Sequence, residues 1–365
     1  MSGVKNFIIA GGGTGGHIFP AVAIANAIKK SSPHANILFI GAIGKMEMEK
    51  VPMEGYEIKG LTIAGFNRTS LIKNILLPYK IIKSFYQVSG IFKNFRPDAV
   101  IGVGGYSTFP VLRFAQSKGI PTFIHEANSF AGKTNIMLGK KAKIIFTSTD
   151  GMEKFFPSDK IFVSGNPVRK NIIESNVTKI DALEAFGLSP HKKTVLLIGG
   201  SLGSKTINEA MYNNIESIEK HNLQLIWQTG KLFEEKAKNI CKGMKHVSVN
   251  AFINKMENAY AAADIVVSRS GAMSIAELCI VKKPVVFVPY PFAAEGHQKV
   301  NAQKLVEKNA AKIIEDKEAM SQLIPEIIAL SENDIEQKKL TDNIGKLAIV
   351  NADRVIANEI LKYLN

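Results

Sequence analysis

Gly11-Gly12-Gly13-Thr14-Gly15-Gly16-His17 follows directly on the apolar run Phe7-Ile8-Ile9-Ala10 and leads into Ile18-Phe19-Pro20-Ala21. A short apolar run ended by a turn signal fits a buried parallel strand, placed at 6–10. Pro20 and the alanine-rich stretch to Ala27 fit the first turns of a helix over 20–30. The glycines between them let backbone approach a ligand closely, and the helix start offers N–H groups to an anion. A strand–glycine loop–helix junction of this kind points to a doubly wound α/β fold. His17 adds an ionisable side chain at the end of the loop.

Gly11, Gly13 and Gly16 satisfy G-x-G-x-x-G, so a nicotinamide- or flavin-dependent oxidoreductase is the first rival. That reading requires an acid at the end of the second strand to hold the ribose. The second strand, Ile37-Leu38-Phe39-Ile40, ends instead in Gly41-Ala42-Ile43-Gly44, and Glu47 and Glu49 come several residues late. The oxidoreductase reading loses its main support there.

The alternation of strand and helix continues along the chain. Strands are expected at 6–10, 36–40, 99–103, 121–125, 144–147 and 161–164. A second series is expected at 194–198, 223–228, 246–249, 264–268, 284–288 and 311–314. Helical patterns fall between them at 20–30, 71–94, 205–220, 272–281 and 297–308. The second series opens as the first does: Thr194-Val195-Leu196-Leu197-Ile198 runs into Gly199-Gly200-Ser201-Leu202-Gly203-Ser204. Two such series predict two doubly wound parallel-sheet domains, 1–164 and 165–343, joined at Ser164-Gly165-Asn166-Pro167-Val168-Arg169. A helical pattern over 344–364 would return to the first domain. Ligands sit at the carboxyl ends of parallel strands, so two facing sheets would hold one in the cleft between them.

The chain has 365 residues, 46% of them hydrophobic, and a mean hydropathy of +0.06, as a globular protein of two domains would. Lys5 precedes only a short apolar run, so no signal peptide is expected, and no stretch is apolar for the ~20 residues a bilayer span needs. Cys241 and Cys279 lie far apart with no CxxC, which reads as reduced core thiols in a cytoplasmic protein. The net charge of +14 is uneven: residues 1–165 hold 20 Lys and Arg against 9 Asp and Glu. No acid occurs between Glu57 and Asp98, where Lys59, Arg68, Lys73, Lys80, Lys83, Lys93 and Arg96 alternate with Leu71, Ile75, Leu76, Ile82 and Phe85. Basic residues interleaved with apolar ones over 59–96 suit an anionic membrane surface. A helix pair with a solvated basic face is the plainer account. Nucleic acid is not expected, because no recognisable motif accompanies the charge.

Several strand ends carry reactive or hydrogen-bonding side chains. His17 either braces its loop or acts as a general base on a hydroxyl. His125-Glu126-Ala127-Asn128 follows a strand; Glu126 is either a base or an organiser of loops, and Asn128 suits sugar hydroxyls. Gly104-Gly105-Tyr106 is a tight turn or a loop shaped to a pyrophosphate. Ser268-Arg269-Ser270-Gly271 precedes a helix start suited to an anion, and Glu277 lies further into that helix, able to accept ribose hydroxyls or to complement the dipole. Gln298 is placed to read a sugar. No metal-ligand spacing, no G-x-x-x-x-G-K-[ST] and no G-x-S-x-G occurs, so a metal site, ATP hydrolysis and a serine elbow are not expected.

Taken in order, Gly11 to Ala21, His125-Glu126-Ala127-Asn128 with Gly132 and Asn135, Gly165 to Arg169, Gly199-Gly200-Ser201 with Gly203, Ser270-Gly271-Ala272 to Glu277, and His297-Gln298 with Asn301-Ala302 resemble the MurG family. These are the bacterial undecaprenyl-diphospho-muramoylpentapeptide β-N-acetylglucosaminyltransferases of glycosyltransferase family 28. The resemblance runs through nearly the whole chain. It implies a GT-B fold of two Rossmann-like domains and inverting transfer of GlcNAc from UDP-GlcNAc to the C4 hydroxyl of MurNAc in lipid I, giving lipid II, with no cofactor. It implies donor contacts at Arg169, Ser201, Ile253, Ala272, Met273, Ser274, Ile275, Ala276, Glu277 and Gln298, with Thr14, Gly15, Gly16 and Asn128 toward the donor sugar. It makes His17 the catalytic base, with Glu126 in reserve. It also implies peripheral attachment to the cytoplasmic face of the cell membrane through the first domain. Ala127 and Ala293-Ala294-Glu295-Gly296 depart from the family pattern, which touches fine sugar contacts rather than the reaction. Other GT-B enzymes remain as alternatives: a different lipid-acceptor transferase, or a UDP-GlcNAc 2-epimerase, which has no need of a membrane face. A non-catalytic nucleotide-binding module would need neither His17 nor that face.

Overall fold

The computed structural model describes residues 4–65, 75–200 and 202–364. The chain divides into two compact units, Met1–Val168 with Asn351–Asn365, and Arg169–Val350. Ser164 to Val168, expected as a linker, form no regular element and are buried, with Asn166 Nδ2 donating to the Ala127 carbonyl at 3.0 Å.

The first unit is built on a parallel sheet of β1 (Asn6–Gly11), β2 (Asn36–Ala42), β3 (Glu57–Leu61), β4 (Ala99–Gly104), β5 (Thr122–Glu126), β6 (Ile144–Thr147) and β7 (Ile161–Val163), in the order β3-β2-β1-β4-β5-β6-β7. Strand alternation sends Phe7 and Ile9 into one layer and Ile8 and Ala10 into the other, so both faces of β1 are dry. Helix Gly15–Ser31 covers the first face with Ile24 and Ile28. The C-terminal helix Ala352–Leu364 adds Ile356, Ala357 and Ile360 to the same layer. The other layer takes Val88 and Phe92 from helix Leu77–Phe95 and Val111, Leu112 and Ala115 from helix Thr108–Ser117.

The second unit repeats the plan with β8 (Lys193–Ile198), β9 (Leu223–Gln228), β10 (Val247–Asn250), β11 (Ile265–Ser268), β12 (Val285–Phe287) and β13 (Lys312–Ile313), all pairs parallel, in the order β10-β9-β8-β11-β12-β13. Its largest buried side chain, Trp227 on β9, donates its Nε1–H to Asn208 Oδ1 at 3.0 Å. Cys241 and Cys279 are buried free thiols, pushed up by burial to about 11 and about 12.

In both sheets the strand order reverses between the first strand and its neighbour, β1 beside β4 and β8 beside β11. That switch point leaves a crevice at the strands' carboxyl ends, where ligands of open α/β sheets bind.

The strands match the expected series, and β3 is an addition. Glu57-Ile58-Lys59-Gly60-Leu61 is too polar to read as a buried strand, and it sits at the sheet edge, where polar residues are tolerated. The helix expected over 71–94 begins at Leu77, with Pro78 at its N-terminus, and residues 71–74 lie outside the described residues. The pattern at 205–220 is two helices, Lys205–Tyr212 and Glu216–Lys220, and the pattern at 344–364 is broken between Gly345 and Ala352.

Candidate active site

The two crevices gather most of the chemically distinctive side chains. In the first unit, Gly12 N–H donates to Gly104 O at 3.1 Å, which ties the loop after β1 to the loop after β4. The contact is backbone on backbone: a Cβ on Gly105 (φ +98°) would stand 2.5 Å from Gly12 O. Only glycine fits there. Thr108 Oγ1 donates to Ala10 O and Ser107 Oγ to Ile40 O, both at 3.1 Å, which fixes the helix after β4 against β1 and β2.

His17 lies half-buried in the first turn of the Gly15–Ser31 helix, its Nδ1 3.0 Å from the Gly12 carbonyl. A carbonyl oxygen only accepts, so Nδ1 carries the hydrogen. In the neutral ring the lone pair then sits on Nε2, the nitrogen able to take a proton. Of the two roles open to His17, loop brace and base, the contact with Gly12 shows the brace. Thr14 is exposed, and Gly15 and Gly16 are partly so.

Glu126 closes β5 with a buried carboxylate. Oε1 accepts from Asn128 N–H at 3.1 Å, and Oε2 accepts from Gly132 N–H at 3.1 Å and Asn135 Nδ2 at 2.9 Å. Those bonds fold the loop 127–132 back on the strand end and orient Asn128. His125 beside Glu126 is buried, next to the Gly165 backbone and Asn166, and burial lowers its pKa to about 4, so its ring is neutral.

In the second unit the loop after β8 is drawn tight by Gly203 N–H donating to Gly200 O at 2.9 Å, with Gln228 Nε2 on Gly200 O at 2.8 Å. Ser201 lies outside the described residues. After β11, helix Ala272–Val281 starts with no capping side chain and no acid in its first turn. Its first turn thus adds no carboxylate of its own to the positive end of the dipole. Ala272, Met273, Ser274, Ile275 and Ala276 are all partly exposed, while Ile253 is buried between exposed Phe252 and Asn254. Glu277 is 6% exposed; Arg169 Nε and Nη2 both donate to its Oε1, at 3.0 and 2.9 Å, and Tyr260 OH donates to Oε2 at 2.9 Å. Burial raises the Glu277 pKa, against the pull of Arg169. Gln298 Oε1 accepts from Tyr290 N–H at 2.9 Å, and its carbonyl accepts from Ser270 Oγ at 2.8 Å, so the start of helix His297–Glu307 is fastened to the loops after β11 and β12.

Residues 7–147 match the glycosyltransferase family 28 N-terminal domain and residues 194–357 the family 28 C-terminal domain. The chain belongs to glycosyltransferase family 28. Among its family 28 relatives, the UDP-N-acetylglucosamine–N-acetylmuramyl-(pentapeptide) pyrophosphoryl-undecaprenol N-acetylglucosamine transferase of Phocaeicola vulgatus is 48% identical over 97% of this chain and 95% of its own length. The crystal structure of Acinetobacter baumannii MurG superposes with a TM-score of 0.79 at 26% identity, covering 98% of this chain and 99% of that one. The two parallel-sheet units are those of the GT-B fold. A UDP-GlcNAc 2-epimerase of Neisseria meningitidis has a TM-score of 0.68 at 15% identity, covering 98% of this chain and 100% of that one; this is a likeness of fold alone.

The site contains residues the sequence pattern did not single out. Glu47, set aside as too late to bind a ribose, is 1% exposed and reaches the glycine loop: Oε2 accepts from Gly13 N–H at 2.6 Å and Oε1 from Ala42 N–H at 3.0 Å. Tyr260 was silent in sequence and is the second holder of Glu277. Arg269, read only as part of a small-residue loop, is buried, donates to Val288 O and Pro289 O at 2.9 and 3.0 Å and pairs with Asp316. Among the described residues no group of three or more His, Cys, Asp or Glu side chains is placed to hold a metal ion.

Proposed function

We propose that this family 28 chain is an inverting N-acetylglucosaminyltransferase that moves GlcNAc from UDP-GlcNAc to the C4 hydroxyl of MurNAc in lipid I, giving lipid II. The near-full-length identity of 48% to the Phocaeicola vulgatus transferase carries this reading. An epimerase or an oxidoreductase has no comparable support.

In this reading His17 Nε2 takes the proton of the acceptor hydroxyl as that oxygen attacks C1 of the donor sugar. The new C1–O bond forms on the face opposite the leaving group, and the C1–O bond to the diphosphate breaks with its electron pair going to UDP. The anomeric centre is inverted in the one displacement. The N-terminus of the Ala272–Val281 helix supports the diphosphate charge. Glu277, held by Arg169 and Tyr260, receives the ribose, and Gln298 and Asn128 serve the sugars. Glu126 orients Asn128 rather than acting as base.

The acceptor is membrane-borne, and the first unit offers a surface for it. Helix Leu77–Phe95 buries Ser84, Val88 and Phe92, while Ile75, Leu76, Tyr79, Ile82 and Tyr86 are 61–83% exposed, with Lys83 and Lys93 exposed beside them. No helix among the described residues is long and apolar enough to cross a membrane. An apolar face with a basic rim suits peripheral attachment to an anionic cytoplasmic leaflet. Lys73 and Arg68 of the same window lie outside the described residues.

Incubation with labelled UDP-GlcNAc and a lipid I analogue tests the proposal. A disaccharide product with β stereochemistry is expected; donor binding without any product would overturn it.

A further inference from the structure

The peptide unit between Gly12 and Gly13 is contacted at both ends by ionisable side chains. Its N–H donates to Glu47 Oε2 at 2.6 Å, and its C=O accepts from His17 Nδ1 at 3.0 Å. In a trans peptide these two groups point in opposite directions, so carboxylate, amide and imidazole form one chain of hydrogen bonds. Room has been made for the carboxylate. A Cβ on Gly12 (φ +146°) would overlap the Glu47 carboxyl group, and one on Gly41 would stand 2.5 Å from Glu47 Cγ. The Gly12 backbone is one that L residues rarely adopt, and the carboxyl group packs into the space that the absent side chains of Gly12 and Gly41 leave. The second oxygen of Glu47 holds the Ala42 N–H, so the carboxylate is anchored to the end of β2 while it holds the loop after β1.

We propose that Glu47 is the positioning residue of the His17 base, acting through the Gly12–Gly13 peptide. The inference rests on His17 being that base. An ionised acceptor strengthens the donor it binds, and hydrogen bonds in series polarise one another. A carboxylate on the Gly13 N–H therefore makes the Gly12 carbonyl a better acceptor for Nδ1–H. That fixes the tautomer with Nε2 bare, and it favours the imidazolium formed when Nε2 takes the hydroxyl proton. The proton taken from the hydroxyl leaves from His17, and Glu47 is not its acceptor. The arrangement does the work of the acid–histidine pair of hydrolases with one amide interposed. The bond to Glu47 also occupies the Gly13 N–H, so this donor does not serve a diphosphate. Among the described residues, Glu47 reaches the His17 ring through the peptide, and His125 on β5 is near enough for like charges to repel.

The test is Glu47→Gln, which keeps the size but turns an amide N–H₂ toward one of the two backbone donors. Its kcat is expected to fall about tenfold with KM for UDP-GlcNAc unchanged, a part of the ~10²–10⁴-fold that general-base catalysis supplies. In a His17→Ala background the same change should cost less than twofold, since coupled residues are not additive. Nitrogen-detected NMR of the His17 ring, assigned by its loss in His17→Gln, should show the Nδ1–H form in the wild type. In Glu47→Gln it should show mixed tautomers and a midpoint moved to lower pH. Unchanged tautomer and midpoint in a folded Glu47→Gln protein overturn the inference and leave His17 as base intact; full activity in His17→Ala overturns the base reading instead. Should Glu47→Gln not fold, the wild-type Gly13 amide proton decides. It should titrate with His17 and lose that titration in His17→Gln, and a Gly13 amide indifferent to His17 ionisation defeats the proposal.

Discussion

The imidazole of His17 lies across Gly104, with Nε2 2.7 Å from where a β-carbon at position 104 would stand. The residue after which β4 ends is therefore glycine for the sake of a side chain on another loop. Its φ of +96° adds a conformation that L residues rarely adopt. Gly104→Ala should turn the ring away, lowering kcat at least tenfold while the dissociation constant for UDP-GlcNAc stays unchanged. Stability should fall by about 1 kcal/mol or more, because the native backbone does not suit alanine. Steady-state kinetics with titration calorimetry reads both effects, and a normal kcat would show that the ring is not held against Gly104.

Tyr260 and Arg169 divide the Glu277 carboxylate between them, one on each oxygen. Tyr260→Phe leaves a buried oxygen short of its donor, at a cost of roughly 1–3 kcal/mol. Glu277→Gln also removes the charge opposite Arg169. We expect the phenylalanine variant to lower the unfolding midpoint and the glutamine variant to weaken UDP-GlcNAc binding by more than tenfold. Equal donor affinity in wild type and Glu277→Gln would remove this residue from the donor site.

His125 makes the first unit acid-sensitive. Burial holds its ring at about 4, below the ordinary value of about 6.5. Between those values the unfolded chain carries a proton there that the folded chain refuses. Stability is therefore lost as pH falls through that window. From roughly pH 7.5 to pH 5 the loss at this one residue is about 2 kcal/mol. Urea unfolding of wild type against His125→Gln measures it. The wild type should lose more stability on acidification, and parallel pH dependences would rule out a neutral buried ring as the cause.

The outward face of helix Leu77–Phe95 invites a direct measurement. Lys80→Glu with Lys83→Glu should weaken cosedimentation with anionic vesicles, each lysine contributing about 1 kcal/mol. Ile82→Ser should weaken binding to anionic and neutral vesicles alike. Binding indifferent to all three changes would place the membrane contact elsewhere on the chain.

The glycine junctions at Gly11 and Gly199 were legible because apolar runs, glycines and helix starts leave a local signature in sequence. Glu47 was not legible. In Lys45-Met46-Glu47-Met48-Glu49-Lys50 it resembles its solvated neighbour Glu49, yet the helix Glu47–Met53 turns it inward to satisfy two backbone donors. Its late position in sequence argued against a ribose acid, and that reasoning stands, because the carboxylate serves the loop. Glu126 shows the converse. Its place at a strand end marked it as important, but its bonds to Asn128, Gly132 and Asn135 depend on how the following loop folds back and leave no mark in sequence. Edge strand β3 and the break before Ala352 escaped because neither depends on a hydrophobic period. One is decided by partner strands and the other by tertiary contact.

The return of helix Ala352–Leu364 to the Ile24 and Ile28 side of the first sheet has a consequence for biosynthesis. The unit that leaves the ribosome first cannot be completed until the whole of the second unit has been made. Until then Ile24 and Ile28 lack the cover that Ile356 and Ile360 later supply, in a protein whose opposite face carries exposed Ile82 and Tyr86. The nascent first unit thus spends the longest part of synthesis with two apolar surfaces exposed, only one of which is eventually buried by its own chain.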